Sequence, residues 1–313
     1  MIIDAAELKR RYLQRIAGVR DHKVYIGPEI MTLELTNVCN LRCQYCITDH
    51  SPGNPAHFNK ARFLSWERFI GIIQDCVELN VDQVTLLGSG EPTMHPSFRD
   101  MMRHLEKQPI KVVLVTNGAF ALDYCSDVIK GDHIVINLGA VDQEHYRELQ
   151  GKDFFDRVVA NIERLVSLRD TLKPKFHIEI DYVVNMMNIN EKQKMQELVS
   201  KLGVNSVFFK KMKVHEYNQS IAIPEALKAE AEYEEIISPP SSLNGWFYIL
   251  VGSDGNFDPF YQIPEGILGD FDKYSFKDFW LSAQMMKFRL LGKSGQIRGF
   301  DRQFRLNHQL IDH

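Results

Sequence analysis

Short β-rich runs alternate with helical patterns from Met31 to Lys210, and this alternation restricts the fold more than any other feature. The runs are Thr32–Thr36, Gln83–Gly88, Lys111–Thr116, His133–Asn137, Lys175–Val184 and Asn205–Phe209. Between them, Ser65 is placed to cap a helix whose apolar stripe is Phe69, Ile73, Cys76 and Val77. Further helices are expected over Ser97–Lys107, Leu122–Lys130, Phe155–Leu168 and Glu191–Leu202, with Gly203 as a C-cap. Ahead of them all, Asp4–Val19 spaces Leu8, Tyr12 and Ile16 as one face of an amphipathic helix. Strands that alternate with helices build βα units, so the class is α/β with a parallel sheet. A doubly wound sheet and a barrel both satisfy that pattern. Polar groups gather after each run: cysteines, Gly88-Ser89-Gly90-Glu91-Pro92, Thr116-Asn117-Gly118, Asn137, Asn185 and Lys210. A barrel collects its active site on that rim, which favours the barrel.

The pattern changes after about Val214. Pro239-Pro240-Ser241-Ser242 reads as a loop. Trp246–Val251, Ser253-Asp254-Gly255 and Asn256–Phe260 read as a β-hairpin, followed by a helix over about Ser275–Leu290. The charged tail RGFDRQFRLNHQLIDH is weakly periodic, and a poorly ordered end is expected there. The expected organisation is an N-terminal helical segment (1–30), the βα region (31–214) and a small α+β extension with a hairpin and helix (215–313).

With 44% hydrophobic residues, 313 positions supply a sizeable core. The net charge of −4 comes from mixed signs, and no basic stripe marks a nucleic-acid or anionic-membrane partner. The longest apolar run, Trp246–Val251, is far short of the ~20 residues a membrane span needs. The opening MIIDAAELKRRYLQRI carries charges where a signal peptide has its apolar stretch, so a cytoplasmic enzyme or binding protein is expected.

The chain has five cysteines, clustered as Cys39, Cys43 and Cys46 with Cys76 and Cys125 isolated. An odd, clustered set is a metal or cluster site rather than a disulfide framework. Three thiolates on a short loop converge on a soft metal centre. A [4Fe–4S] cluster normally takes four cysteines, so three would leave one iron open to a non-protein ligand. Zinc competes, because His50 completes a Cys3His set. Cys76 and Cys125 fall on apolar helix stripes and read as inert core thiols.

The segment ELTNVCNLRCQYC resembles the signature loop of radical S-adenosylmethionine enzymes, with Tyr45 in the aromatic slot. GSGEP at Gly88–Pro92 resembles that family's "GGE" segment, with Ser89 in place of its first paired glycine. The six βα units match the family's partial (β/α)6 barrel, and the resemblance spans roughly Met31–Lys210. It implies one [4Fe–4S] cluster held by Cys39, Cys43 and Cys46, and S-adenosylmethionine chelated to the open iron. It implies that Glu91 meets the methionine ammonium, that Gly88 and Gly90 allow close backbone approach, and that Arg147 holds the cofactor carboxylate. Tyr45 would contact adenine largely through its backbone, with Asn117 and Asn137 as further cofactor contacts.

Each of these residues also has a plain structural reading. Asn117-Gly118 is a common turn, Asn137 suits a strand end, and Arg147 suits pairing with Glu144 or Glu148. Glu34 reads as structural. In the fifth run, His177, Glu179 and Asp181 alternate with Ile178, Ile180 and Tyr182, giving one polar face that would look inward in a barrel. Glu179, Asp181 and Lys210 are therefore candidate substrate residues. The basic group Lys210, Lys211, Lys213 and His215 suits an anionic substrate or a solvated edge.

The stretch from Gly245 to Trp280 resembles the SPASM/Twitch extension of the same family, through Ser253-Asp254-Gly255, Pro259 and Ser275–Trp280. Those extensions usually carry cysteines for auxiliary clusters. Here Phe260 stands where a cysteine is expected, and Trp246, Phe257, Phe260 and Trp280 suggest an aromatic core instead. The resemblance thus implies radical chemistry without an auxiliary cluster: elimination, decarboxylation, rearrangement or epimerisation of a small polar metabolite, with Tyr261 as a candidate hydrogen donor. A peptide-modifying or dehydrogenating enzyme is the alternative, and a zinc-stabilised module or a degenerate family member that regulates are others. The implied partner is a reductant such as flavodoxin or ferredoxin, and the oligomeric state stays open.

Overall fold

A computed structural model describes residues 4–46, 60–172, 176–214, 216–224, 227, 243–258, 269–270 and 273–293. Lys175, His50, His215, Pro259, Phe260, Tyr261 and the charged tail lie outside the described residues.

In chain order the elements are α1 (Ala5–Asp21), β1 (Ile30–Leu33), α2 (Trp66–Glu78), β2 (Gln83–Leu86), α3 (Phe98–Leu105), β3 (Lys111–Thr116), α4 (Cys125–Val128), β4 (His133–Asn137), α5 (Gln143–Gln150), α6 (Phe155–Leu172), β5 (His177–Val184), α7 (Lys192–Leu202) and β6 (Ser206–Lys211). Then follow α8 (Asn244–Phe247), β7 (Tyr248–Val251), β8 (Asn256–Asp258), β9 (Gly269–Asp270), α9 (Phe276–Leu281) and α10 (Ala283–Lys293). The sheet order is β6-β5-β4-β3-β2-β1-β7-β8-β9. The strands β1 to β6 pair in parallel, as the βα alternation requires.

Period-two alternation sorts the side chains. Met31, Leu33, Val84, Leu86, Leu114, Ile134, Ile136, Ile178 and Ile180 are fully buried in the core under the helices. Each such side chain contributes about 1.5–3 kcal/mol of burial free energy. Thr32, Glu34, Thr85, Asn137, Glu179, Asp181 and Lys210 sit on the opposite register, the inner face of the partial barrel. The polar face expected on the fifth run is therefore the inner wall.

The expected hairpin joins this same sheet. β7 pairs in parallel with β1 over Ile30–Leu33, and β8 returns antiparallel to it. Trp246 belongs to α8 instead of the strand. The helix expected over Ser275–Leu290 is two helices. Ser282 turns extended at ψ 155°, ends α9, and its hydroxyl accepts the Met285 N–H at the start of α10. The expected helix over Leu122–Lys130 shrinks to a 3-10 turn plus α4. α5 has no counterpart in the expected elements; Asp142 caps it by accepting the His145 N–H at 2.9 Å.

The expected aromatic core is divided. Phe257 stacks on Phe279 at 4.6 Å, while Trp246 packs with Val19, Leu243 and Phe247 in a separate cluster. Arg289, 1% exposed, spans the gap with its guanidinium 4.3 Å from the Trp280 ring and 5.2 Å from Trp246. It donates to the carbonyls of Gly245 at 2.6 Å and Trp280 at 2.8 Å, and burial lowers its pKa to about 9. Cys76 and Cys125 are buried core thiols, as their helix stripes imply. No helix among the described residues is long and apolar enough to cross a membrane.

Candidate active site

The loop after β1 carries the cysteine triplet over the C-terminal ends of the strands. Its path is set before the cysteines begin. The Thr36 hydroxyl donates to the Arg62 carbonyl at 2.7 Å and accepts the Val38 N–H at 3.0 Å. Asn37 reaches the same segment, donating to the Lys60 carbonyl and accepting the Arg62 N–H. Past the first cysteine, the loop hangs on α5: Arg42 N–H donates to the Gln150 carbonyl and Gln44 N–H to that of Leu149.

The glycine-rich turn after β2 fits against this loop. A Cβ on Gly88 would lie 2.4 Å from Cγ of Glu34, and one on Gly90 would lie 2.4 Å from the Thr36 carbonyl oxygen. Both positions require glycine because protein backbone and side chain, rather than a ligand, occupy that space. Glu91 then points inward. It is 3% exposed, and its Oε1 accepts from the hydroxyls of Thr93 and Thr116, each at 2.7 Å. Its Oε2 accepts the Asn117 N–H at 2.7 Å. Burial pushes the Glu91 carboxyl up, and these hydrogen bonds oppose the shift. Glu91 thus braces the turn after β2 against β3.

Asn117 and Asn137 do more than end strands. The Asn117 side-chain N–H donates to Asn40 Oδ1 at 2.7 Å and approaches Cys39 Sγ at 3.8 Å. Asn137 Oδ1 accepts the Tyr45 hydroxyl at 2.6 Å, so the aromatic slot of the cysteine loop is pinned to β4. Arg147 is exposed on α5, whose inward side carries Tyr146, Leu149 and Gln150. On the inner wall, Lys210 Nζ lies 3.2 Å from Asp181 Oδ2. Glu179 lies one inner-face step below Asp181. Lys211 and Lys213 are exposed at the strand end, which leaves Lys210 as the inward member of the basic group.

Two supporting residues had no sequence signal strong enough to single them out. Gln150 is fully buried, accepts the Gly139 N–H at 2.9 Å and hydrogen-bonds the Cys43 thiol. Asn161 donates to the carbonyls of Gly118 at 2.7 Å and Phe120 at 2.9 Å, fixing the loop after β3. A buried amide on an otherwise apolar helix stripe is the pattern that betrays both.

The three cysteines suit a cluster. None of them is in a disulfide. Burial, Glu91 and the neighbouring Cys46 push Cys39 up to about 12, and burial with the other two cysteines pushes Cys43 well above its ordinary value. Such thiols stay protonated unless a metal replaces the proton. A single zinc would hold thiolates roughly 3.8 Å apart. Among the described residues, the ligand sets gathered within 4.8 Å are His133–His177–Glu179 and Asp142–His145–Glu191, without the cysteine triplet. The wider spread of three soft donors fits a polynuclear iron–sulfur group. A cavity of about 800 Å³ opens at the other end of the sheet between α1 and the starts of β2 and β3, away from this chemistry.

Residues 33–198 match the model of the Radical SAM superfamily. The chain belongs to that family. Radical SAM enzymes use S-adenosylmethionine and a [4Fe–4S] cluster, and those are this enzyme's cofactors. A probable GTP 3',8-cyclase from Saccharolobus islandicus is 29% identical over 182 residues, which cover 57% of this chain and 55% of that one. The chain thus spans about half the length of the curated relatives it matches. Streptococcus suis SuiB bound to S-adenosylmethionine superposes with a TM-score of 0.67 at 13% identity, covering 95% of this chain and 74% of SuiB. The anSMEcpe protein with bound AdoMet gives 0.60 at 16% identity, covering 85% and 81%. Both show a shared radical SAM fold.

Proposed function

We propose that this radical SAM enzyme abstracts hydrogen from a small polar metabolite, a sugar, nucleoside or amino-acid derivative. The observation that carries the reading is Asp181. It is 6% exposed on the inner wall, yet its Oδ1 has no hydrogen-bond partner. An unpaired buried acceptor costs about 1–3 kcal/mol, which a hydroxyl or amine of a substrate would recover. Lys210 beside it would take an anionic or carbonyl group. Asp181, Lys210 and Asn137 together form a polar wall below the cysteine loop.

Held by Cys39, Cys43 and Cys46 and the surrounding turns, the cluster and S-adenosylmethionine would supply one-electron reduction of the sulfonium and, through it, hydrogen-atom abstraction from a substrate C–H. This chain's residues position that event. Cys39, Cys43 and Cys46 would hold the cluster, and Tyr45 and Asn137 would fix the loop over β4. The turn at Gly88–Glu91, with Asn117, would offer backbone and amide groups to the methionine end, and Arg147 would meet its carboxylate. Glu91 would act on the ammonium through its buried charge and through the turn it braces. A flavodoxin- or ferredoxin-type reductant would deliver the electron.

No cysteine follows Cys125, so the hairpin region, which we read as a SPASM/Twitch-like remnant, offers no thiolates for a second cluster. Outcomes that need none are favoured: elimination, decarboxylation, rearrangement or epimerisation. Structures of SuiB with a precursor peptide and of anSMEcpe with peptides share the fold, whereas curated relatives include probable GTP 3',8-cyclases. The deciding experiment is anaerobic incubation of reconstituted enzyme with deuterated candidates, following label into 5'-deoxyadenosine. Transfer from a small metabolite, reduced at least tenfold in Asp181→Asn while substrate-free cofactor cleavage persists, supports the reading. Transfer from peptides alone refutes it.

A further inference from the structure

We infer that His133, His177 and Glu179 form a second metal site, for zinc or another late first-row divalent cation, on the inner face of β4 and β5. His133 and His177 are register partners on adjacent strands, and Glu179 follows His177 by two residues on the same face. His133 Nε2 lies 3.7 Å from Glu179 Oε2, and the two imidazoles meet edge to face with centroids 4.9 Å apart. The three ligand atoms all lie within 4.8 Å of one another. Bonds of about 2.0–2.2 Å to a shared ion would set them roughly 3.2–3.6 Å apart, within reach of side-chain rotation.

The hydrogen bonds around these residues leave one donor atom of the set unused. His133 Nε2 is shut off from solvent and has no hydrogen-bond partner. Lys111 lies close enough to bear electrostatically on His133. The positive charge of Lys111 opposes a cation, and the Glu179 carboxylate offsets it. Ser206 Oγ meets His177 Nε2 at 2.8 Å and donates to Glu179 Oε2 at 3.3 Å, holding two of the ligands in place. Two imidazoles and a carboxylate are a borderline N/O set that suits zinc and its neighbours.

A contrast sharpens the choice. Asp142, His145 and Glu191 meet the same distance test, but Asp142 is already engaged as the α5 cap and Lys194 approaches Glu191 at 3.6 Å. That set is an ion-pair network. The β4–β5 set is also separate from the cysteine loop: four residue steps of strand, roughly 13 Å, separate His133 from Asn137, where Tyr45 of that loop is held. Three protein ligands leave a coordination position for water or a substrate oxygen.

The test uses holoenzyme, so that iron and sulfide already occupy the cysteines. Chelator-washed protein is dialysed anaerobically against zinc, and zinc and iron are counted per chain by mass spectrometry. One zinc per chain beyond the cluster iron is expected, with binding at least tenfold weaker in His133→Ala and in the isosteric Glu179→Gln at unchanged iron content. Zinc should also raise the Tm of the wild type and leave Glu179→Gln unmoved. Absence of stoichiometric zinc in the iron-loaded wild type, or zinc retained undiminished in both variants, would overturn the site.

Discussion

Ser253 donates both its backbone N–H, at 3.0 Å, and its hydroxyl, at 2.6 Å, to Oε2 of Glu34, across 219 residues of chain. The other carboxylate oxygen of Glu34 accepts from the backbone and hydroxyl of Ser89. One buried side chain at the end of β1 therefore ties the turn after β7 to the glycine-rich turn after β2. Glu34→Gln keeps the shape but places N–H groups against donors. A loss of about 2–3 kcal/mol is expected, read as a lower urea midpoint with an unchanged slope.

Gly90→Ala tests the packing of the same turn. Its Cβ would sit 2.4 Å from the Thr36 carbonyl oxygen and 2.5 Å from that of Val38, both backbone, so the cysteine loop must move. Reduced iron loading together with a lower Tm is expected. A variant with wild-type iron content and Tm would show that the turn gives way easily.

Cys43→Ala removes one of three soft ligands. After anaerobic reconstitution it should lack the brown chromophore and form no 5'-deoxyadenosine under reduction. Full activity would contradict the ligand assignment.

Gln150→Leu removes the amide that bonds the Cys43 thiol. Hydrogen bonds to cluster sulfurs stabilise the reduced, more negative state. The midpoint potential of the loaded cluster should therefore move more negative, measured by EPR-monitored titration. The freed Gly139 N–H should add a stability loss of about 1–3 kcal/mol.

His95 makes the fold acid-sensitive. Its Nδ1 accepts the Ser97 N–H at 3.0 Å, so Nε2 carries the proton towards the Leu64 carbonyl at 2.9 Å. Burial lowers its pKa below the ordinary 6.5. The unfolded chain then binds the proton first. This contribution is complete above about pH 6.5 and is lost as pH falls towards the depressed folded value. Urea midpoints should drop between pH 7 and pH 5 in the wild type, and less steeply in His95→Gln.

Much of the barrel is legible in the sequence because buried strands and capped helices write local patterns. Lys111–Thr116 and His133–Asn137 have the expected bounds, and Ser65 and Gly203 sit at the helix ends where their chemistry suits them. α5 is not legible in the sequence because Gln143–Gln150 is mostly polar, and its inward face is only Tyr146, Leu149 and Gln150. Its short length and polar character leave tertiary packing, rather than periodicity, to form it.

The sequence by itself determined the βα alternation, the cysteine triplet and the glycine turn, because each depends on neighbours a few residues apart. Tertiary structure decided the rest. It brought β7 beside β1, set Glu34 between Ser89 and Ser253, aimed Asp181 at the inner wall, and gathered His133, His177 and Glu179. Those relationships depend on strand partners and register, which link distant segments through backbone hydrogen bonds common to all residues and so leave little trace in any one stretch of sequence.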